Sequence, residues 1–141
     1  HSGAQLHGFL SFLVKTIVND KKYSVFGYKG KQVRDNIHSI DVARAFDEFI
    51  KKPRLGGNVY NLGGGRNNSC SILEAIQLIE KISNKKSKYK VLKQNRIGDH
   101  IWWISDNSKF QKHYPNWKIN VSLKKSLEQM VDFELNRKNS G

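Results

Sequence analysis

The chain is poor in cysteine and in acid. One cysteine, Cys70, among 141 residues excludes an internal disulfide and any zinc site built on several thiolates. Such usage fits a reducing, cytoplasmic setting. Acidic residues number 12 against 25 Lys plus Arg, leaving a formal net charge of +13. No apolar run reaches the roughly 20 residues that a membrane-crossing helix needs. The longest, Gly8 to Val18, is interrupted by Ser11, Lys15 and Thr16 and reads as a core helix. The first residues show no secretory pattern. There is no internal repeat, no low-complexity tract, no His-x-x-x-His pair and no acid-rich cluster. His7, His38, His100 and His113 are too dispersed to suggest a metal centre.

What is present describes a folded domain. Hydrophobic residues make up 38% and aromatics 11%, too much apolar content for a disordered chain. The length fits one domain with a real core. A basic balance admits nucleic acid, an anionic surface or a phosphorylated small ligand as partner. Most of the cations are lysines scattered over loops and helix faces, which reads as a solvated surface. The rarer arginines are better candidates for chemistry, because their fixed fork grips phosphate through two hydrogen bonds.

Periodicity predicts a helix over Leu6 to Val18, buried on most sides and ended by Asn19-Asp20. A strand over Tyr23 to Gly27, a Gly- and Lys-rich loop to Lys31, and an extended piece over Val33 to His38 follow. Ser39 suits the N-cap of a helix from Ile40 to Lys52, with Asp41 near its positive end. Asn58 to Leu62 reads as a strand running into Gly63-Gly64-Gly65. Ser71-Ile72-Leu73-Glu74 is a capping box opening another helix. Tyr89 to Leu92 predicts a strand, Ile101 to Ile104 an aromatic stretch, and Ser108 to His113 a short helix stopped before Pro115. The last helix spans Leu123 to Asn136, with Leu123, Leu127, Met130, Val131, Phe133 and Glu134 near one stripe. The order is that of an α/β or α+β protein.

Few of the chemical motifs survive scrutiny. Gly63-Gly64-Gly65 lacks the third small residue of a dinucleotide fingerprint, since Asn68 occupies that place, and lacks the acid about 20 residues on. A tight turn crowded by backbone explains it better. Tyr89 and Lys93 form a Tyr-x-x-x-Lys string, but in a stretch with strand-like alternation, whereas an acid/base pair needs both on one helical turn. Cys70 lies before a helix N-terminus, a position that can lower a thiol pKa; with no acid or His partner it reads as structural. Sharper are Arg34-Asp35, leaving a glycine-rich loop, and Arg96-Ile97-Gly98-Asp99. Two arginines on ordered segments, each with a following Asp, suit a clamp for a diphosphate and a ribose hydroxyl. Salt bridges would account for the same residues equally well.

Five segments in order resemble the extended short-chain dehydrogenase family of NAD-dependent sugar-nucleotide epimerases and dehydratases. They are Val25-Phe26-Gly27, Arg34-Asp35-Asn36-Ile37-His38 with Asp41-Val42-Ala43, Val59-Tyr60-Asn61-Leu62-Gly63, Arg96-Ile97-Gly98-Asp99, and Ser105-Asp106-Asn107-Ser108-Lys109. The resemblance implies an α/β fold in which residues 1–141 form a single unit. That unit would be the carboxy-terminal substrate-binding lobe plus late strands and helices of a Rossmann-type enzyme, without its amino-terminal NAD-binding half. It implies that Arg34 and Arg96 grip the nucleotide-sugar diphosphate and that Asp99 accepts a hydrogen bond from the ribose. Val25 and Phe26 would line the base pocket through backbone contacts. His7, Gly8 and the residues up to Leu10 would close over phosphates and sugar, and Trp103 would stand near the sugar. Tyr60-Asn61-Leu62 would be a late strand of the NAD-binding sheet.

The family's glycine fingerprint and its catalytic Tyr and Lys have no counterpart here, so NAD is expected in the parent enzyme and not on this chain alone. Asn36, His100 and Trp102-Trp103 depart from the wider family's pattern; His1 to Gln5, Gly30 to His38 and Gly98 to Asp106 resemble a subgroup acting on a CDP-sugar. The partners implied are a nucleoside-diphosphate sugar, CDP-linked by preference, and either a second copy or the missing half, paired through an exposed edge at Val59 to Leu62. A basic nucleic-acid-binding module and a non-catalytic interaction remnant are the rival readings. The first lacks any alternation of aromatics with cations.

Overall fold

The computed structural model describes residues 8–94 and 101–141. Its contacts gather into two compact units, where length suggested one. The first comprises His1–Gln32, Cys70–Ile101 and Lys124–Gly141, and the second Val33–Ser69 and Trp102–Leu123. Among the described residues no helix is long and apolar enough to cross a membrane.

In the first unit, helix α1 (Phe9–Val18) buries Leu10, Leu13, Val14, Ile17 and Val18. It packs against α3 (Ile72–Ser83), which buries Ala75, Ile76 and Ile79. Their spacing of three and four residues puts each set on one face. Burying each of these Leu, Ile and Val side chains contributes about 1.5–3 kcal/mol. The capping box of α3 forms as the sequence predicts: Glu74 N–H donates to Ser71 Oγ at 3.1 Å, and Ser71 N–H to Glu74 Oε1 at 3.0 Å. The helix ends on Asn84 in the left-handed conformation, which Asn tolerates. Strand β1 (Lys22–Phe26) pairs in parallel with β4 (Lys88–Leu92), register Val25 to Val91; α3 lies in the crossover that a parallel pair requires. Helix α5 (Leu123–Asn139) buries Leu127, Val131 and Glu134 here, whereas Phe133, expected on the same stripe, is exposed.

The second unit is held differently. Its core joins Ala45 of α2 (Ser39–Lys51) to Phe110 of α4 (Ser108–His113), Tyr114 and Trp117, with Ile37, Phe49, Tyr60, Leu62 and Ile119 packed around them. Phe110 meets Trp117 edge to face, ring centroids 5.2 Å apart, a geometry the ring quadrupoles favour. Asp41 is fully buried in the first turn of α2. Its carboxylate accepts from Arg44 at 3.0 Å and from the backbone N–H groups of Asn120 and Val121 at 3.1 and 3.0 Å. Its carbonyl accepts from Trp117 Nε1 at 2.9 Å. A residue placed by sequence near a helix dipole is therefore the hub that fixes the loop after Trp117. The cap of α2 is His38, whose Nδ1 accepts from Ile40 N–H, and not Ser39.

Residues 58–62 form no strand, contrary to expectation. A strand is defined by a partner ladder, and here side chains stand in for one. Lys109 Nζ donates to Val59 O at 2.8 Å, and both ends of the Asn107 carboxamide hold Gly63, accepting from its N–H at 3.0 Å and donating to its C=O at 2.8 Å. The expected pairing edge is thus not a strand edge. Two short strands, β2 (Val33–Asp35) and β5 (Trp102–Trp103), pair in parallel, and a further strand, β3 (Ser69–Ser71), precedes α3.

Candidate functional site

The parallel pairing of β2 with β5 sets Arg34 in register with Trp103. Side chains alternate along a strand, so register partners project from the same face of a sheet. Two residues assigned on resemblance to the substrate, one to its diphosphate and one to its sugar, are thereby neighbours. Trp103 is exposed and Arg34 half-buried, its Nη1 donating to Val33 O at 2.8 Å.

Asp35, the acid of the same motif, points the other way and has a different task. Its Oδ2 accepts from Ser105 N–H at 2.9 Å and from Gly65 N–H at 3.1 Å, tying the glycine loop to the segment after β5. It is a structural strut and no part of a clamp. The glycines beside it serve the same packing. A Cβ on Gly63 would overlap Ser105 and the Asp35 carboxylate, and one on Gly64 would overlap the backbone of Asn36. The crowded-turn reading holds at Gly63 and Gly64.

On β1 of the other unit, Val25 is fully buried and Phe26 half-buried, so Val25 could meet a ligand only through its backbone. Sequence reasoning missed Gln32, buried at 3% exposure, whose Nε2 donates to Phe26 O at 2.9 Å. That bond already engages one backbone acceptor of the expected base pocket. Gly8 is exposed, with φ at 101°, as the N-cap of α1. His7, Arg96 and Asp99 lie outside the described residues.

The remaining candidates resolve against catalysis. Tyr89 stands on β4 in register with Tyr23, not on a helical turn with Lys93. Burial pushes the Cys70 thiol up to about 11, with the Glu74 carboxylate adding to it, so the helix N-terminus does not activate it. Among the described residues no group of three His, Cys, Asp or Glu could hold a metal. One pair was not anticipated: Tyr60 Oη lies 2.7 Å from His113 Nδ1. Desolvation, then Arg54, Lys109 and Lys112, holds His113 below the ordinary imidazole range. Tyr60 is raised, first by desolvation and then by Tyr114.

Parallel strand pairs joined through helices make this a mixed α/β chain of Rossmann type, and comparison with known proteins agrees on the fold. Residues 1–63 match the NAD dependent epimerase/dehydratase family. The chain is 32% identical over 120 residues to UDP-glucuronate 4-epimerase of Thermodesulfobacterium geofontis, covering 85% of this chain and 35% of that protein. It is 31% identical over 121 residues to CDP-paratose 2-epimerase of Salmonella typhi, again 85% of this chain and 35% of the relative. A crystal structure of UDP-glucuronic acid 4-epimerase from Bacillus cereus, in complex with UDP-glucuronic acid and NAD, superposes with a TM-score of 0.76 at 30% identity, over 89% of this chain and 38% of that one. Over residues 1–63 the chain is similar to the NAD dependent epimerase/dehydratase family, and its relatives include sugar-nucleotide epimerases. It spans little more than a third of their length.

Proposed function

We propose that this chain is a nucleotide-sugar-binding portion of an NAD-dependent sugar-nucleotide epimerase. The observation that carries the reading is the register of Arg34 with Trp103 across β2 and β5. A guanidinium suits the two negative phosphates, binding them through paired charge-assisted hydrogen bonds. The indole beside it suits the apolar face of a sugar. Arg96 and Asp99 would complete the grip on diphosphate and ribose, Val25 and Phe26 would wall the base, and His7 and Gly8 would approach the phosphates.

The parent reaction is a transient oxidation of a sugar carbon by NAD followed by return of the hydride to the other face. This stretch contributes orientation, which lowers the barrier by fixing reacting groups near their attack geometry. The family's glycine fingerprint and catalytic Tyr and Lys have no counterpart in this sequence, so the chain is proposed to be inactive by itself. UDP is the favoured nucleotide, in place of the CDP that the motifs from Gly30 to His38 and Gly98 to Asp106 suggested, because most of the relatives found are named for UDP-sugars and the Salmonella relative for a CDP-sugar.

Calorimetric titration with UDP, CDP and their glucose conjugates tests the reading. Trp103→Ala is expected to weaken the glucose conjugates about tenfold while leaving the free diphosphates unchanged. Equal losses on both would remove Trp103 from the sugar side. Measurable NAD-dependent epimerisation by the purified chain would overturn its inactivity.

A further inference from the structure

The second unit contains a cleft of about 780 Å³ that the reading above does not use. We propose that it is a second ligand site, for a small anionic saccharide. Its walls come from three stretches distant in sequence: residues 64–68; residues 102, 104–108 and 111; and residues 118–120 and 122. Buried or half-buried polar side chains tie them together. Asn68 donates to Val121 O and accepts from Leu123 N–H, both at 3.1 Å, Asp35 bridges Gly65 to Ser105, and Asn107 holds Gly63. The cleft is therefore built in advance of any ligand, and its size falls in the range of about 300–1,000 Å³ usual for small-molecule sites.

Its chemistry is specific. Trp102 lines it with an indole 61% exposed, an apolar plate beside Ile104 and Ile119 in a concavity otherwise walled by polar side chains and backbone. Such a plate takes the C–H face of a sugar ring, while its edge remains hydrated. Asn67 and Gln111 line the same cleft with exposed carboxamides, each able to donate to and accept from hydroxyls. Arg66 and Lys118 add two exposed cations that form no ion pair among the described residues. The one carboxylate on the wall, Asp106, accepts from Ser108 N–H at 2.9 Å. A ring with hydroxyls and one phosphate or carboxylate matches this set.

The cleft is not the site proposed above. Successive residues of a strand face opposite ways, so Trp102 and Trp103 serve different faces of β5, and only Trp103 shares a face with Arg34.

The full chain is titrated with glucose 1-phosphate, glucose and inorganic phosphate, with the indole N–H of Trp102 followed by NMR. Glucose 1-phosphate is expected to bind one to one, to shift the Trp102 signal, and to lose at least tenfold in affinity in both Trp102→Ala and Arg66→Ala. Arg34→Ala should leave it unchanged. Both cleft positions are exposed, so these variants keep the fold, and Gln111→Ala supplies a third test with an expected loss of three- to tenfold. Loss in Arg34→Ala alone would move the ligand to the other face and overturn the proposal. Phosphate binding as tightly as glucose 1-phosphate would reduce the cleft to an anion site and overturn the saccharide. Absence of binding at millimolar concentration would overturn it outright. None of these results bears on whether UDP binds through Arg34.

Discussion

The two units solve the same problem by different means. The first buries aliphatic side chains from α1, α3 and α5, and its buried polar side chains, such as Thr16, Gln32 and Ser83, bond to carbonyls close by in sequence. The second has four buried core residues, three of them aromatic, and is drawn together by Asp41, Asn68 and Asn107, each reaching far along the chain. The difference teaches where function can sit. An aliphatic core tolerates no irregular backbone, because its peptide groups would go unpaired. A core laced with carboxylate and carboxamide side chains can satisfy loops, and it is the loops that shape the cleft.

Breaking the polar hub should have the largest effect. Asp41→Ala leaves the N–H groups of Asn120 and Val121 without their acceptor, a loss of about 4 kcal/mol by chemical denaturation. Hydrogen exchange should rise first in α2 and residues 117–121 while α1 and α3 stay protected. Simultaneous loss in both units would show that the hub is not local.

Leu13→Ala, in the aliphatic core, should cost about 3 kcal/mol and reverse that order of exchange. Asn107→Ala frees both polar ends of the Gly63 peptide and should cost about 2 kcal/mol. Ser71→Ala removes half of a capping box, worth about 1 kcal/mol in thermal melts.

A further effect shows only at alkaline pH. Folded Cys70 keeps its proton to about pH 11, whereas its ordinary value is 9.0. Its stabilising contribution is therefore whole below pH 9 and lost as pH rises through 11. Cys70→Ala should flatten that part of the stability curve, and native Cys70 should resist thiol reagents at pH 8 until the chain is unfolded.

The same contrast explains what the sequence made legible. Helices α3 and α4 were readable because their signals are local: a Ser and a Glu three apart, a Pro two residues beyond the end. The cap of α2 was misassigned because His38 and Ser39 both carry acceptors, and only the fold decides which one meets Ile40 N–H. The strand expected at 58–62 has the right residues, but its partners are the side chains of Lys109 and Asn107, which periodicity does not register. Asp41 was seen as an acid near a helix start; its backbone partners lie 79 and 80 positions on. Arg34 and Trp103 were identified by resemblance, and only the parallel register of two very short strands made them neighbours. Gln32 was read only as part of a motif and its bond to Phe26 O gave no signal, since a buried glutamine bonded to a nearby carbonyl looks in sequence like any loop residue.

The most direct test of the account is calorimetric titration of UDP and CDP into the chain and into Arg34→Ala and Arg34→Lys. The account predicts that at least one of the two nucleotides binds, that Arg34→Ala loses tenfold or more, and that Arg34→Lys recovers part of the loss through charge without the paired hydrogen bonds. Binding unchanged in Arg34→Ala, or no binding by a folded chain, would contradict the claim that this polypeptide carries the diphosphate grip.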